Sequence, residues 1–573
     1  MKLKITSLFI FLFISQFASA QTWQWGNLMG SISQGDQNDD EKINGLGIDT
    51  LGNTYVVGEV CKFPHFGSLI SAHQGGGQQN DGFIAKYDCD GNLKWVHLIG
   101  DTYTGQSVNG IAVDKVGNCY INGHAGTGSV SQDVWFGDSL VHIPNYNGYF
   151  VAKYDSAGNL KWLKFDEFHS VYMFGNIIAI NSYGLIITGG KTGYAASGTL
   201  YPGYTVSRGN WLAAFHPATG NVLWATNIDS ASANGCCSFQ VNTMTLDAND
   251  NIYIGGGYNS EIFVGTYVFN TGSVFATKAL LVKLNSIGNI VWAKESNQVP
   301  PGSFNDVIVN MTYSNNHLYL NGSGWRNDTI FGWVDNFTGL NVQNQFIMKM
   351  DLNGNYVSAI NIDTVRWAMY AYGTIAADDT GNIYLASGYN DYVRWNGFPI
   401  VDSPNSYYIP YLMKMNSNLQ IQWITQANNI SSSVHTRYDS FTQMQISREG
   451  DFYLGGIFTG SIFLDNNDTI SYLGGNNDLF LVKYGLNNCP SSTYIDEPNS
   501  QSSFTIYPNP TSGKIIISGS TLSQLTIYNS LGEKILEAKH TNAVDLSNYS
   551  HGLYFLQVRS EKAIIGTATI LKQ

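Results

Sequence analysis

The run Asp49-Thr50-Leu51-Gly52-Asn53-Thr54-Tyr55-Val56-Val57-Gly58 returns along the chain. Its spacing is about 66 residues, and a fixed period of that length marks a stacked or radial repeat architecture. Near-copies read Asp114…Gly117-Asn118-x-Tyr120-x-x-Gly123, Asp247…Asn251-x-Tyr253-x-Gly255 and Asp378…Gly381-Asn382-x-Tyr384…Gly388. Gly450-Asp451-x-Tyr453-x-Gly455 is a fifth, and Asn315…Tyr319-x-x-Gly322 and Asn181…Gly184…Gly189 are worn forms. Each unit has a second half, which in the first reads Phe83-Ile84-Ala85-Lys86-Tyr87-Asp88, then Gly91-Asn92-Leu93-Lys94-Trp95.

These runs are short, alternate in polarity and are rich in Val, Ile, Tyr and Phe, the pattern of half-buried strands. Asp-x-x-Gly-Asn punctuates them with residues that accept the positive φ of a tight turn. Four strands per unit, seven units and no helical period predict an all-β chain built as a seven-bladed β-propeller. The last unit stops after Leu479-Phe480-Leu481-Val482-Lys483-Tyr484 and lacks its Trp strand. Thr22-Trp23-Gln24-Trp25-Gly26-Asn27-Leu28 reads as that missing strand, so the N-terminus is expected to close the ring, which removes exposed sheet edges.

Of 573 residues only 12% are charged while 13% are aromatic, and 61 are glycine, a balance that argues against disorder. The net charge of −13, without Lys/Arg clusters, excludes nucleic acid as a natural partner. Residues 1–20 read as a signal peptide, with Lys2 and Lys4, the apolar stretch Leu8 to Ile14, and Ala18-Ser19-Ala20 for cleavage. No stretch has the length of a transmembrane helix. The cysteines (Cys61, Cys89, Cys119, Cys236, Cys237, Cys489) show no metal-binding spacing. Their pairing stays open, with a vicinal Cys236-Cys237 bond and free thiols as alternatives.

The repeat resembles the SBBP-type seven-bladed β-propeller repeat of secreted bacterial proteins, over residues 21–486. A polar linker, 487–502, leads to a compact block at 503–573. There strands are expected at Phe504 to Tyr507, Lys514 to Ser518, Gln524 to Tyr528, Gly552 to Val558 and Thr567 to Leu571, forming a small Ig-like β-sandwich. Tyr507-Pro508-Asn509-Pro510…Gly513, Tyr528-Asn529-Ser530-Leu531-Gly532 and Gly552-Leu553-Tyr554-Phe555 resemble the type A C-terminal sorting domain of type IX secretion. That resemblance implies the secretion machinery as partner, passage through the periplasm, and arrival at the cell surface or outside the cell. In that family the tail is usually removed.

Chemistry is sparse. Asp88-x-Asp90-Gly91-Asn92 is the nearest approach to a calcium loop, but the other copies lack the second Asp, so a hairpin turn is preferred and no metal is assigned. No nucleophile elbow, zinc motif or phosphate loop is present, and no cofactor is implied. The repeat tryptophans read as packing residues. Aromatics outside the repeat, foremost Trp135, Trp325, Trp367 and Trp395, are candidates for stacking on a sugar. Asp138-Ser139-Leu140, Asp328-Thr329-Ile330 and Asp468-Thr469-Ile470 are similar to the O-glycosylation sequon of bacteria with this export route. The expected role is a binding or structural module for extracellular glycan or protein. The alternative is a polysaccharide hydrolase or lyase, which would show clustered carboxylates at the channel mouth.

Overall fold

The computed structural model describes residues 21–31, 41–61, 64–67, 69–70, 80–101, 105–125, 132–143, 148–166, 177–201, 203–231, 239–272, 276–296, 306–325, 329–334, 343–364, 373–390, 393–395, 398–399, 408–429, 439–464, 469–474, 477–486, 489, 504–519, 524–529, 534–539, 541–559 and 564–572. Among them every regular element is a β-strand. The leader 1–20, all of the linker but Cys489, and Cys236-Cys237 lie outside the described residues. The chain divides into two compact units, Met1–Pro490 and Ser491–Gln573.

The first unit is a succession of antiparallel meanders in a propeller-like arrangement. Lys42–Ile48, Thr54–Val60, Asp81–Tyr87 and Leu93–Gly100 are hydrogen-bonded in that order. The same order restarts at Ser107–Val113, Ile178–Ile180, Phe239–Leu246, Val307–Ser314 and Thr374–Ala377. The last sheet takes Ser440–Ile446, Phe452–Phe458 and Asp478–Gly485 from one end of the unit and Thr22–Ser31 from the other. First strands of consecutive sheets touch, and Ser440–Ile446 touches Lys42–Ile48.

Register shows how closely Thr22–Ser31 follows the repeat. Lys86 pairs with Trp95, and a one-residue bulge separates that pair from Tyr87 and Leu93. Lys153–Trp162, Lys283–Trp292 and Lys414–Trp423 repeat the pairing and the bulge. Lys483 pairs with Trp25, with the bulge falling between Trp23 and Trp25. A strand more than 450 positions away in sequence thus supplies the tryptophan that Leu93–Gly100 and Ile421–Gln426 supply locally in the adjoining sheets.

Cores lie between sheets rather than within them. Met29, Leu479 and Leu481 from the last sheet share a cluster with Ile43, Val56 and Phe83 from the first. Tyr55, Val57 and Ile84 share the next with Val108, Ile121 and Phe150. A disulfide, unforeseen in the sequence, joins Cys89 in the turn after Asp81–Tyr87 to Cys489. Cross-links that close so long a loop stabilise by about 5 kcal/mol in the chain-entropy picture.

In the second unit, Phe504–Tyr507, Lys514–Gly519 and Ala543–Asp545 form one sheet. Lys534–Lys539, Gln524–Tyr528, Gly552–Arg559 and Ile564–Lys572 form another. Ile515 and Ile517 of the first pack with Leu525, Leu556 and Ile570 of the second. Two strands, Lys534–Lys539 and Ala543–Asp545, exceed the sequence expectation, because their alternation is polar and short.

If Thr22–Ser31 is an integral strand, Trp25→Ala should cost about 3 kcal/mol, as much as Trp95→Ala. Equilibrium denaturation of the two variants checks this; a silent Trp25→Ala would show the strand to be dispensable.

Candidate functional site

Many of the repeat residues are engaged in contacts within and between sheets. Asp49 Oδ1 accepts the Leu51 and Asn53 N–H groups, and Tyr55 Oη donates to Asp49 Oδ2 at 3.2 Å. Lys86 lies opposite Tyr55 with its ammonium 5.0 Å from the ring centre. It then donates to Ser156 O in the next sheet at 2.8 Å, and Trp95 Nε1 donates to that same carbonyl at 3.2 Å. Lys153 and Trp162 converge likewise on Pro217 O, at 3.1 and 3.0 Å. Trp25 Nε1 reaches Cys89 O at 3.0 Å, the equivalent carbonyl in the first sheet. The indole also explains the turn glycine: Gly91 has φ +83°, and a Cβ there would come 2.7 Å from Trp25. Burial pushes the Lys86 ammonium down from its ordinary range, and Asp49 pulls the other way.

Where the first strands converge there is a cavity of about 780 Å³. A bulge recurs in these strands, at Asn44, Asn109, Asn242, Val309 and Thr442, each skipped in the pairing with the second strand. These residues line the cavity. The bulged amides also stitch sheets together: Asn44 Nδ2 donates to Val108 O at 3.0 Å and Asn242 Nδ2 to Ile308 O at 2.9 Å. Gln445 Nε2 closes the series by donating to Leu46 O at 2.9 Å. Asn310, Gln443, Thr243, Thr312 and Thr374 add further amides and hydroxyls, with Met244, Met311 and Met444 between them. Among the described residues, Lys42 is the one charged side chain of the lining, and no carboxylate or histidine lines it. A pair of carboxylates for glycoside hydrolysis therefore has no place on these walls.

The aromatic candidates lie elsewhere. Trp135 belongs to the hairpin Gln132–Phe136/Ser139–Ile143 on the outer edge of the first sheet, half-buried. Trp325 ends the strand His317–Trp325, and Trp395 ends Val393–Trp395. Trp367 lies outside the described residues. Trp211 is fully buried against Tyr149. Asp88 and Asp90 form a turn: Asp88 Oδ1 accepts from Asp90 N–H and Asn92 N–H, and Oδ2 meets Lys94 at 3.2 Å. Burial alone would raise the Asp88 carboxyl, but the Asn92 and Lys94 donors hold it below its ordinary range. Asp155 makes the same turn with Ala157 in the place of the second acid. The amide collar escaped sequence reading, although Ile43-Asn44-Gly45, Val108-Asn109-Gly110 and Val241-Asn242-Thr243 carried its signal.

In the second unit the peptides Tyr507–Pro508 and Asn509–Pro510 are cis. Asn509 Oδ1 accepts Leu571 N–H at 2.8 Å, and Thr511 N–H donates to Leu571 O, so the Pro-Asn-Pro corner is tied to the final strand. Gly513 leaves room for Ser547, whose Oγ would lie 2.1 Å from a Cβ. Tyr554 Oη donates to Ser550 O, and Leu553 pairs with Leu571. Gly552 opens the strand Gly552–Arg559, and Gly532 lies outside the described residues. Residues 505–572 match the secretion system C-terminal sorting domain. The sorting domain marks the chain for export by type IX secretion, to the cell surface or the extracellular space. No helix among the described residues is long and apolar enough to cross a membrane.

No curated protein matches the chain in sequence. Among solved structures, BamB from Moraxella catarrhalis is similar at 10% identity and a TM-score of 0.35, covering 81% of this chain and 100% of its own. The WD40 beta propeller domain of Doa1 is similar at 9% identity and a TM-score of 0.35, covering 82% and 97%. The extracellular domain of the hybrid two component system BT4673 from B. thetaiotaomicron gives 11% identity, a TM-score of 0.25, and coverage of 95% and 76%. At these TM-scores the architecture rests on the chain's own strand pairing.

Four of the five bulged cavity strands are led by a buried polar residue two positions before the bulge neighbour, namely Glu41, Gln106, Asp306 and Asp439, and the fifth has Phe239 there. Burial pushes Asp439 up to about 7, against the hydrogen bonds it accepts from Thr459. Its folded value lies above the unfolded one, about 4. The neutral form therefore stabilises the fold fully below about pH 4, and that contribution is lost as pH rises through 7. Asp439→Asn should accordingly melt higher than wild type above pH 7, by up to about 4 kcal/mol, with the gap closing towards pH 4. Thermal melts across pH measure it.

Proposed function

We propose that residues 21–486 form a seven-bladed β-propeller closed by Thr22–Ser31. Displayed outside the cell, it binds a neutral extracellular glycan in its central channel, while 503–573, a small Ig-like sandwich, serves as a removable sorting signal. The observation that carries the binding reading is the cavity wall. About 780 Å³ lined by amides and hydroxyls interleaved with Met and aliphatic side chains, with one cation and no acid among the described residues, suits an uncharged ligand with both hydroxyl and apolar faces. Such a site orients its guest by hydrogen bonds rather than by ion pairing. Its amides are already fixed by bonds between sheets, so little freedom is lost on binding.

A glycan array probed with the purified protein should return neutral oligosaccharides. Thr442→Trp, which narrows the channel, should weaken the signal without lowering Tm; unchanged binding would locate the ligand elsewhere. Removing residues 503–573 should leave the protein in the periplasm, seen by cell fractionation. Surface display of the truncated chain would refute the sorting role.

A further inference from the structure

Three separate pieces of chain meet beside Gly30: the end of Thr22–Ser31, Glu41 at the lead into Lys42–Ile48, and Asp478 at the start of Asp478–Gly485. Glu41 is 3% exposed and Asp478 0%. Each carboxylate has one oxygen occupied. Glu41 Oε1 accepts from the Ser31 hydroxyl and from Cys61 N–H at 3.2 Å. Asp478 accepts from the backbone of Leu473, through Oδ2, and of Gly474. The other oxygens, Glu41 Oε2 and Asp478 Oδ1, have no hydrogen-bond donor among the described residues. They lie 2.9 and 2.4 Å from the point where a Cβ on Gly30 would stand. Gly30 has φ +149° and no side chain, so the space between the two oxygens is kept open.

Two like-charged oxygens that face one interior point are strongly unfavourable unless something positive joins them. No ion pair among the described residues neutralises either one. We infer that this is a site for a hard divalent cation of the calcium class, held by Glu41 Oε2 and Asp478 Oδ1 beside the Ser31 hydroxyl. An all-oxygen donor set selects calcium over zinc or copper. The exported location places the protein where calcium is plentiful, and extracellular calcium modules work at dissociation constants of about 0.1–1 mM. The repeat itself does not demand the acid. In the next sheet the matching lead position is Gln106, whose amide donates to Asp101 at 2.8 Å. A cation beside Gly30 would brace the first strand, the last sheet and the lead into the first sheet against each other.

Full-length protein stripped with EDTA and dialysed is melted near neutral pH with calcium chloride, then with magnesium chloride. Calcium should raise Tm by roughly 1 °C at tenfold excess over its dissociation constant and by about 2 °C at hundredfold excess, with magnesium weaker. Glu41→Gln, which installs the residue the next sheet already uses, should abolish the calcium shift while melting no lower than stripped wild type. Isothermal titration of wild type with calcium alone should give one ion per chain, and Asp478→Asn should remove it. The assignment is overturned if calcium leaves wild type unchanged, or if Glu41→Gln keeps the full shift. It is equally overturned if acid alone, without calcium, provides the stabilisation, because the carboxylates would then share a proton.

Discussion

A backbone carbonyl that receives side-chain donors from the preceding sheet, recurring between several neighbours, is the constraint on which the rest of the structure depends. Ser156 O and Pro217 O each receive an ammonium and an indole N–H from the preceding sheet. A single such bond contributes about 1 kcal/mol net. Their value lies in geometry, because a lysine crossing its own tyrosine and a tryptophan lying on a glycine turn fix both spacing and rotation between neighbours. The sheets are too narrow to bury both faces alone, so stacking creates the hydrophobic cores, and the carbonyl contacts set how the stack is aligned. Trp25 meets Cys89 O by the same rule, which makes the N-terminal strand an ordinary member of the series.

The parts legible in sequence are those whose partners are local or repeated. Asp-x-x-Gly-Asn announces its own turn, because the Asp side chain caps backbone groups two and four residues on. Tyr and Lys announce each other across paired strands. Where the third unit replaces the tyrosine by Ile187, the facing residue is Ala214, so the two losses go together. Even the displaced Trp25 was readable, as a repeat element out of place. The sorting tail was readable for a different reason: its Pro-Asn-Pro corner and Gly-Leu-Tyr strand are specific in order and spacing.

What was not legible depends on residues far apart in the chain. Cys89 and Cys489 belong to no motif, and neither announces the other across 400 positions. Glu41 and Asp478 each resemble a surface acid until folding buries them side by side. The amide collar is a milder case: Asn44, Asn109 and Asn242 recur in register, but a bulge is needed to turn them towards the cavity. Trp135, a candidate for stacking on a sugar, lies on an outer hairpin, and the described cavity wall contains no aromatic side chain. Among the described residues that wall carries no acid, although the chain has a net charge of −13, and Lys42 is its one charged side chain.

The bond between Cys89 and Cys489 also changes what a protease can do. Outside the cell, enzymes cut exposed loops, and a propeller offers many. Any single cut between these cysteines opens a covalent circle without releasing a fragment, and the severed ends stay held by their sheets. The molecule can be nicked between these cysteines yet remain one covalent particle.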